Sequence, residues 1–387
     1  MKRMQVVDLV RTASILAVLA VHLSGPQGIV KASHEYWLAF VWYKIWVAGG
    51  FGVPMFFVIS GFLITKLIAS NPNGLMNPDF RDFYSRRFGR IVPLLFLTCL
   101  IGVTMAGFFK NDSIAFATCF NNPLDQTLHS WLWASIATFS FNWYMIFFEP
   151  PGTHLGLHWN ILWSLSIEEQ FYFFYPLALK ILGCRRNLVF FLAALVVAGP
   201  FSVLGLTAML PHSSILWQNS FAGFNLIAIG CLLYLTSNYF QGRLERQKGL
   251  CFLLCLSGFV LFMVAYTHQN YLADFEGHFI EPTLIGFGIF MFLLGGLHLD
   301  FFESRFLAPL AWPGKLSYGG YLLHVMVLYF LWPSLTGKNE FLAFFIFAAA
   351  TFAIAYVSFR FYEMPANLFF RRLLGRPQPK VTSHRND

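Results

Sequence analysis

Apolar runs of about twenty residues recur along nearly the whole chain, and most of its charge is gathered in short polar stretches between them. A helix rising about 1.5 Å per residue needs ~20 such residues to cross the ~30 Å hydrocarbon layer of a bilayer. Only 11% of the 387 residues are charged and 57% are hydrophobic, too few charges to clothe a soluble surface. The pattern predicts an all-α polytopic membrane protein. The net charge of +8 is scattered between the apolar runs and forms no single basic stripe, so nucleic acid is not an expected partner. Cys99, Cys119, Cys184, Cys231, Cys251 and Cys255 show neither metal-ligand nor disulfide-framework spacing and read as small apolar packers.

The first run, Asp8 to His22, carries an acid, a guanidinium and an imidazole. An Arg or Asp at the centre of a membrane helix costs about 2.5–3.5 kcal/mol even on the lenient insertion scale. Asp8 and Arg11, three apart, can pair on one face. Arg11 and His22 lie eleven apart, which brings both to the same side of a helix about 16 Å apart along its axis. A helix with one polar seam lines something wet; an interfacial His and a snorkelling Arg are the plainer alternative. Because Asp8 and Arg11 interrupt the run and no convincing cleavage site follows, it is expected to be a retained span rather than a signal peptide.

Further spans are expected at about 44–67, 91–109, 159–182, 188–210, 219–239, 250–268, 281–299, 316–335 and 340–362, about ten in all with both ends in the cytoplasm. Leu128 to Phe148 is the exception. If it crossed, Arg185, Arg186, Arg243, Arg246 and Lys248 would all fall outside, against the positive-inside bias, so a non-crossing outer-face segment is expected there. Residues 1–365 form the expected membrane domain, and 366–387 a basic, mobile cytoplasmic tail.

Polar residues mark several spans. Ser60-Gly61 in the second is either a small-residue packing contact or an opening to a polar site. Arg86, Arg87 and Arg90 precede the third; they can serve the positive-inside signal alone or grip phosphates, with Arg86 and Arg90 sharing a helical face. Glu168 and Glu169 in the fourth point about 100° apart, so at most one faces a given cavity. Ser317, Tyr321 and His324 fall on one stripe. Glu363 is expected to pair with Arg360. His154 and His158 have zinc-pair spacing but no third ligand, and no metal is expected.

The ordered set of motifs resembles the acyltransferase 3 family of integral-membrane acyltransferases, which includes bacterial polysaccharide O-acetylases and macrolide O-acyltransferases. The resemblance rests on Arg11 and His22, with ten residues between them in the first span, and on Phe56-Phe57-Val58-Ile59-Ser60-Gly61-Phe62-Leu63-Ile64. It also rests on Arg86-Arg87-Phe88-Gly89-Arg90-Ile91-Val92-Pro93 and on Trp163-Ser164-Leu165-Ser166-Ile167-Glu168-Glu169-Gln170-Phe171-Tyr172. Ser317-Tyr318 through His324 and Glu363-Met364-Pro365 complete it. The approach His154-Leu155-Gly156-Leu157-His158-Trp159-Asn160 departs from the family pattern. The esterase-like domain of some relatives is not part of the sequence, so the membrane unit is expected to transfer the acyl group itself or pass it to another protein.

The resemblance implies a multi-pass enzyme of the bacterial inner membrane. It would move an acyl group, expected to be acetyl, from cytoplasmic acetyl-CoA to a sugar hydroxyl of a polysaccharide, lipid-linked glycan or glycosylated small molecule. O-Acylation needs a base for the hydroxyl, stabilisation of an oxyanion and a grip on a polyanionic donor. Imidazole titrates near neutrality, so His22 is the expected base. Arg86, Arg87 and Arg90 suit the donor phosphates, and Arg11 its pantetheine or thioester end. Glu168 or Glu169 suits orientation of His22 or the sugar, Tyr318, Tyr321 or Ser317 could donate to the oxyanion, and Ser60, Tyr318, Tyr321 and His324 are expected at the donor site. Direct attack and an acyl-histidine intermediate both fit this inventory. The alternative is a glycan or lipid transporter using the same residues as a proton relay; the absence of an internal repeat disfavours it.

Overall fold

The computed structural model describes residues 4–23, 48–108, 126–148, 157–210, 218–268, 280–335 and 338–374. The principal helices are α1 (Gln5–Leu23), α2 (Gly52–Ala69), α3 (Phe80–Phe108), α4 (Gln126–Ala137), α5 (Phe141–Phe148), α6 (Leu162–Leu182) and α7 (Arg185–Met209). After them come α8 (Ser220–Tyr239), α9 (Lys248–His268), α10 (Glu281–Gly296), α11 (Ser317–Leu335), α12 (Glu340–Ser358) and α13 (Met364–Leu374).

Among the described residues, seven helices are long and apolar enough to cross a membrane: α1, α2, α3, α7, α8, α9 and the run from α12 into α13. Helices α6 and α11 reach 21 and 19 residues but carry many of the polar groups described below, and α10 is apolar but only 16 residues long. The protein is an all-α polytopic membrane protein. Large apolar side chains face outward on α7 and α9, among them Phe190, Phe201, Phe252 and Phe259. That is the inverse of a soluble surface and suits contact with lipid.

Apolar attraction is weak between helices in lipid, so close backbone approach takes its place. At the α2–α8 crossing a Cβ on Gly61 would run into the Ile227 carbonyl, and one on Gly230 into the Val58 carbonyl. The Ser60-Gly61 pair is thus a packing contact through its glycine.

Several elements differ from the expected spans. The third helix begins at Phe80, so the arginine cluster is its own first turns rather than a loop before it. The 128–148 region is broken at Phe139, whose φ of 53° few non-glycine residues adopt. The resulting helices of 12 and 8 residues are each too short to span a bilayer. The break is held from α6: Gln170 Nε2 donates to the Phe139 carbonyl at 2.6 Å and to Asn142 Oδ1 at 2.9 Å. Residues 359–363 form a π-helical turn before Pro365. The wider turn eases the clash between the proline ring and the carbonyl four residues earlier, so the helix continues to Leu374, past the expected boundary at 365. Residues 44–47 of the expected second span lie outside the described residues.

Candidate active site

Helices α1, α2, α3, α6 and α11 line a partly open cavity. Arg11, Ser60, Arg87, Arg90, Glu168, Tyr318 and Tyr321, all expected site residues, line it together with Ser317.

Each charged group is held by a neighbouring helix. Arg11 Nη2 donates to Ser317 Oγ at 2.9 Å, tying α1 to α11, while its Nη1 lies 3.8 Å from Asp8 Oδ1. That is the three-residue pair the sequence suggested. The Tyr172 hydroxyl donates to Glu168 Oε2 at 3.4 Å and makes a short contact with Ser60 Oγ. The Arg87 guanidinium lies 4.1 Å from the centre of the Tyr172 ring, and its Nε is buried without a hydrogen-bond partner. The Arg90 guanidinium lies 6.0 Å from the centre of the Tyr318 ring. The cavity therefore sets three guanidinium groups and one carboxylate against an otherwise apolar and aromatic wall, where a desolvated anion would be strongly attracted.

The tyrosine hydroxyls of α11 are committed elsewhere. Tyr318 donates to the Ile91 carbonyl at 2.9 Å, and Tyr321 to the Ile161 carbonyl at 3.1 Å with Ser164 Oγ 2.6 Å away. As oriented here they brace α3 and α6 rather than point a free donor at a reacting oxygen.

Four expected residues stand off this wall. Arg86 turns back to Asp82, its Nε 2.8 Å from both carboxylate oxygens. The face that matters is therefore Arg87 with Arg90, not Arg86 with Arg90. Glu169, about 100° around the helix from Glu168, is not in the cavity lining, and its Oε1 is buried with no hydrogen-bond partner among the described residues. His22 and His324 lie behind Tyr321. The His22 and His324 rings meet edge to face with centroids 4.7 Å apart, and the Tyr321 and His324 rings are 5.8 Å apart. On the polar side of α1, Arg11 thus lines the cavity, whereas His22 packs against His324 outside its lining. Glu363 accepts from Ser358 Oγ at 3.0 Å instead of pairing with Arg360, because the π turn carries Arg360 to an exposed position.

Sequence reasoning passed over Tyr172 and Ser164. The signal was present for both, since Tyr172 follows Glu168 by four residues and Ser164 precedes it by four, placing the three on one helical face. His154 lies outside the described residues.

The family profile for an acyltransferase domain matches residues 4–360. The chain belongs to the acyltransferase 3 family. It is 28% identical over 382 residues to the peptidoglycan O-acetyltransferase OatA of Listeria monocytogenes, covering 93% of this chain and 55% of that protein. It is 29% identical over 341 residues to the O-acetyltransferase OatA of Staphylococcus aureus, covering 83% of this chain and 53% of that protein. The chain thus spans about half the length of these curated relatives. No solved structure gives a significant match.

Proposed function

We propose that the chain is an O-acetyltransferase of the bacterial cytoplasmic membrane. It would take acetyl groups from acetyl-CoA on the cytoplasmic side and deliver them to a sugar hydroxyl of a cell-surface polysaccharide, with peptidoglycan the first candidate. The observation that carries this reading is the convergence of Arg11, Arg87, Arg90 and Glu168 on one cavity among membrane-spanning helices. Charges in such a setting are costly, and three guanidiniums in one place call for an anionic substrate. The relatives' names supply the acetyl group and the glycan, and family membership favours transfer over transport.

In this reading Arg87 and Arg90 hold the phosphate-bearing arm of the donor, and Arg11, fixed by Ser317, meets its thioester end. Glu168 and Tyr172 keep Arg87 in place. His22 is the base. Its Nδ1 lies 2.8 Å from the Val18 carbonyl, which can only accept, so the neutral ring carries its hydrogen there and presents a lone pair at Nε2. The acceptor hydroxyl gives its proton to Nε2, its oxygen bonds to the thioester carbon, and the carbon–sulfur bond breaks. The proton on the ring then neutralises the departing thiolate. Since His22 stands behind Tyr321, the acyl end has to pass that ring to reach it.

The test is transfer of labelled acetyl from acetyl-CoA to solubilised peptidoglycan strands by membranes carrying His22→Ala. Loss of the base should lower turnover by about 10²-fold or more. Wild-type turnover in this variant would remove His22 from the reaction.

A further inference from the structure

His324 on α11 is fully buried, and its Nδ1 lies 2.6 Å from the Tyr321 carbonyl. A carbonyl only accepts, so Nδ1 carries the hydrogen and the lone pair sits on Nε2. That Nε2 is buried and meets no hydrogen-bond partner among the described residues. An unsatisfied buried acceptor is destabilising, a penalty that a leucine or phenylalanine at the same place would avoid. Such an atom calls for an explanation, and a donor that arrives during function is one.

The surroundings narrow the identity of that donor. Among the described residues, the titratable side chains against the ring are His22 from α1 and Tyr321 from its own helix. The Tyr321 hydroxyl is already bonded to Ser164 and Ile161. His22 carries its hydrogen on Nδ1 toward Val18, so it gains a second N–H only by taking up a proton at Nε2.

We infer that His324 is the proton partner of His22, accepting at its Nε2 the proton that His22 withdraws from the acceptor hydroxyl. The inference rests on the reading of His22 as base. Rings with centroids 4.7 Å apart can pass a proton directly after a ring turn or through one water. The balance is simple. The acceptor O–H bond breaks and His22 Nε2 gains the proton; the new C–O bond forms as the C–S bond breaks. The proton moves to His324 Nε2 and from there to the thiolate, leaving both rings neutral. His324 stands on the side of His22 that faces Tyr321 and the arginine cavity, the direction in which the thiol departs. Two imidazoles this close in a low dielectric hold at most one positive charge between them, so the pair acts as a unit.

The test compares His324→Phe, which keeps an aromatic ring against His22 but no nitrogen, with His324→Gln, which restores a side-chain acceptor. The full chain in lipid vesicles would be assayed for thiol release from acetyl-CoA with solubilised peptidoglycan strands. The Phe variant should lose about 10²-fold in kcat with KM for acetyl-CoA within about twofold, and Gln should recover part of the loss. In mixed H₂O/D₂O the rate of the wild type should fall along a bowed curve, from two protons in flight, and that of the Phe variant along a straight line. Wild-type kcat in the Phe variant overturns the inference. So do equal losses in both variants with the bowed curve kept, which would mean that the ring only packs. His22→Ala assayed in parallel separates the two ideas: full activity there removes the base reading itself. Loss there with an active His324→Phe removes only the partner role.

Discussion

Helix α6 carries two polar clusters two residues apart, and they are built on opposite plans. Gln170 faces the 126–148 segment and is fully occupied: its amide donates to Phe139 and Asn142, and its Oε1 accepts from Ser220 Oγ at 2.5 Å. Asn142 in turn donates to the Gln218 carbonyl and to Ser220. Glu168, about 200° away around the helix, faces the cavity and accepts a long bond from Tyr172. Around it Arg87 Nε and Glu169 Oε1 remain without partners. A closed network spends its hydrogen bonds on holding helices together, whereas an open one keeps them for something that arrives later. Buried polarity alone does not mark a membrane site; unspent bonding capacity does.

Four substitutions test that contrast. The largest effect is expected at the open cluster, where Glu168→Gln should reduce acetyl transfer by about 10²–10³-fold, with the melting temperature of the purified protein nearly unchanged. A drop in melting temperature without loss of turnover would reverse the assignment. Next comes the closed cluster: Gln170→Leu should destabilise the fold by about 2–3 kcal/mol, read as a lower melting temperature, with turnover per folded molecule retained. Third, Arg90→Ala should raise KM for acetyl-CoA by about tenfold and change kcat less, measured by initial rates at saturating glycan. The smallest effect should be at Arg86→Ala, whose partner Asp82 shares its partly exposed position, with acetyl transfer changed by twofold at most. Equal effects at Arg86 and Arg90 would erase the distinction between the pairing face and the cavity face of α3.

The spacing of residues carried a good part of this arrangement. Arg11 with Asp8, the split between Glu168 and Glu169, and the stripe from Ser317 to His324 follow from helical periodicity, which holds wherever a helix is regular. What escaped was anything decided by a neighbouring helix. Residues three and four apart are both near neighbours on a helix, so Arg90 could share a face with Arg86 or Arg87; Asp82 decided that by claiming Arg86. The layer formed by Tyr321 and His324 between Arg11 and His22 depends on how α11 leans on α1, which no periodicity in either helix contains. The π turn at 359–363 likewise redirected Arg360 and left Glu363 to Ser358.

The α2–α8 crossing bears on the chemistry although neither glycine lines the cavity. Ser60 immediately precedes Gly61, so its hydroxyl reaches Tyr172 only while the two backbones remain in contact. A single methyl group on either helix would wedge them apart and draw that hydroxyl away from the tyrosine that supports Arg87. A lesion at Gly230, remote from every reacting atom, would then masquerade as an active-site defect.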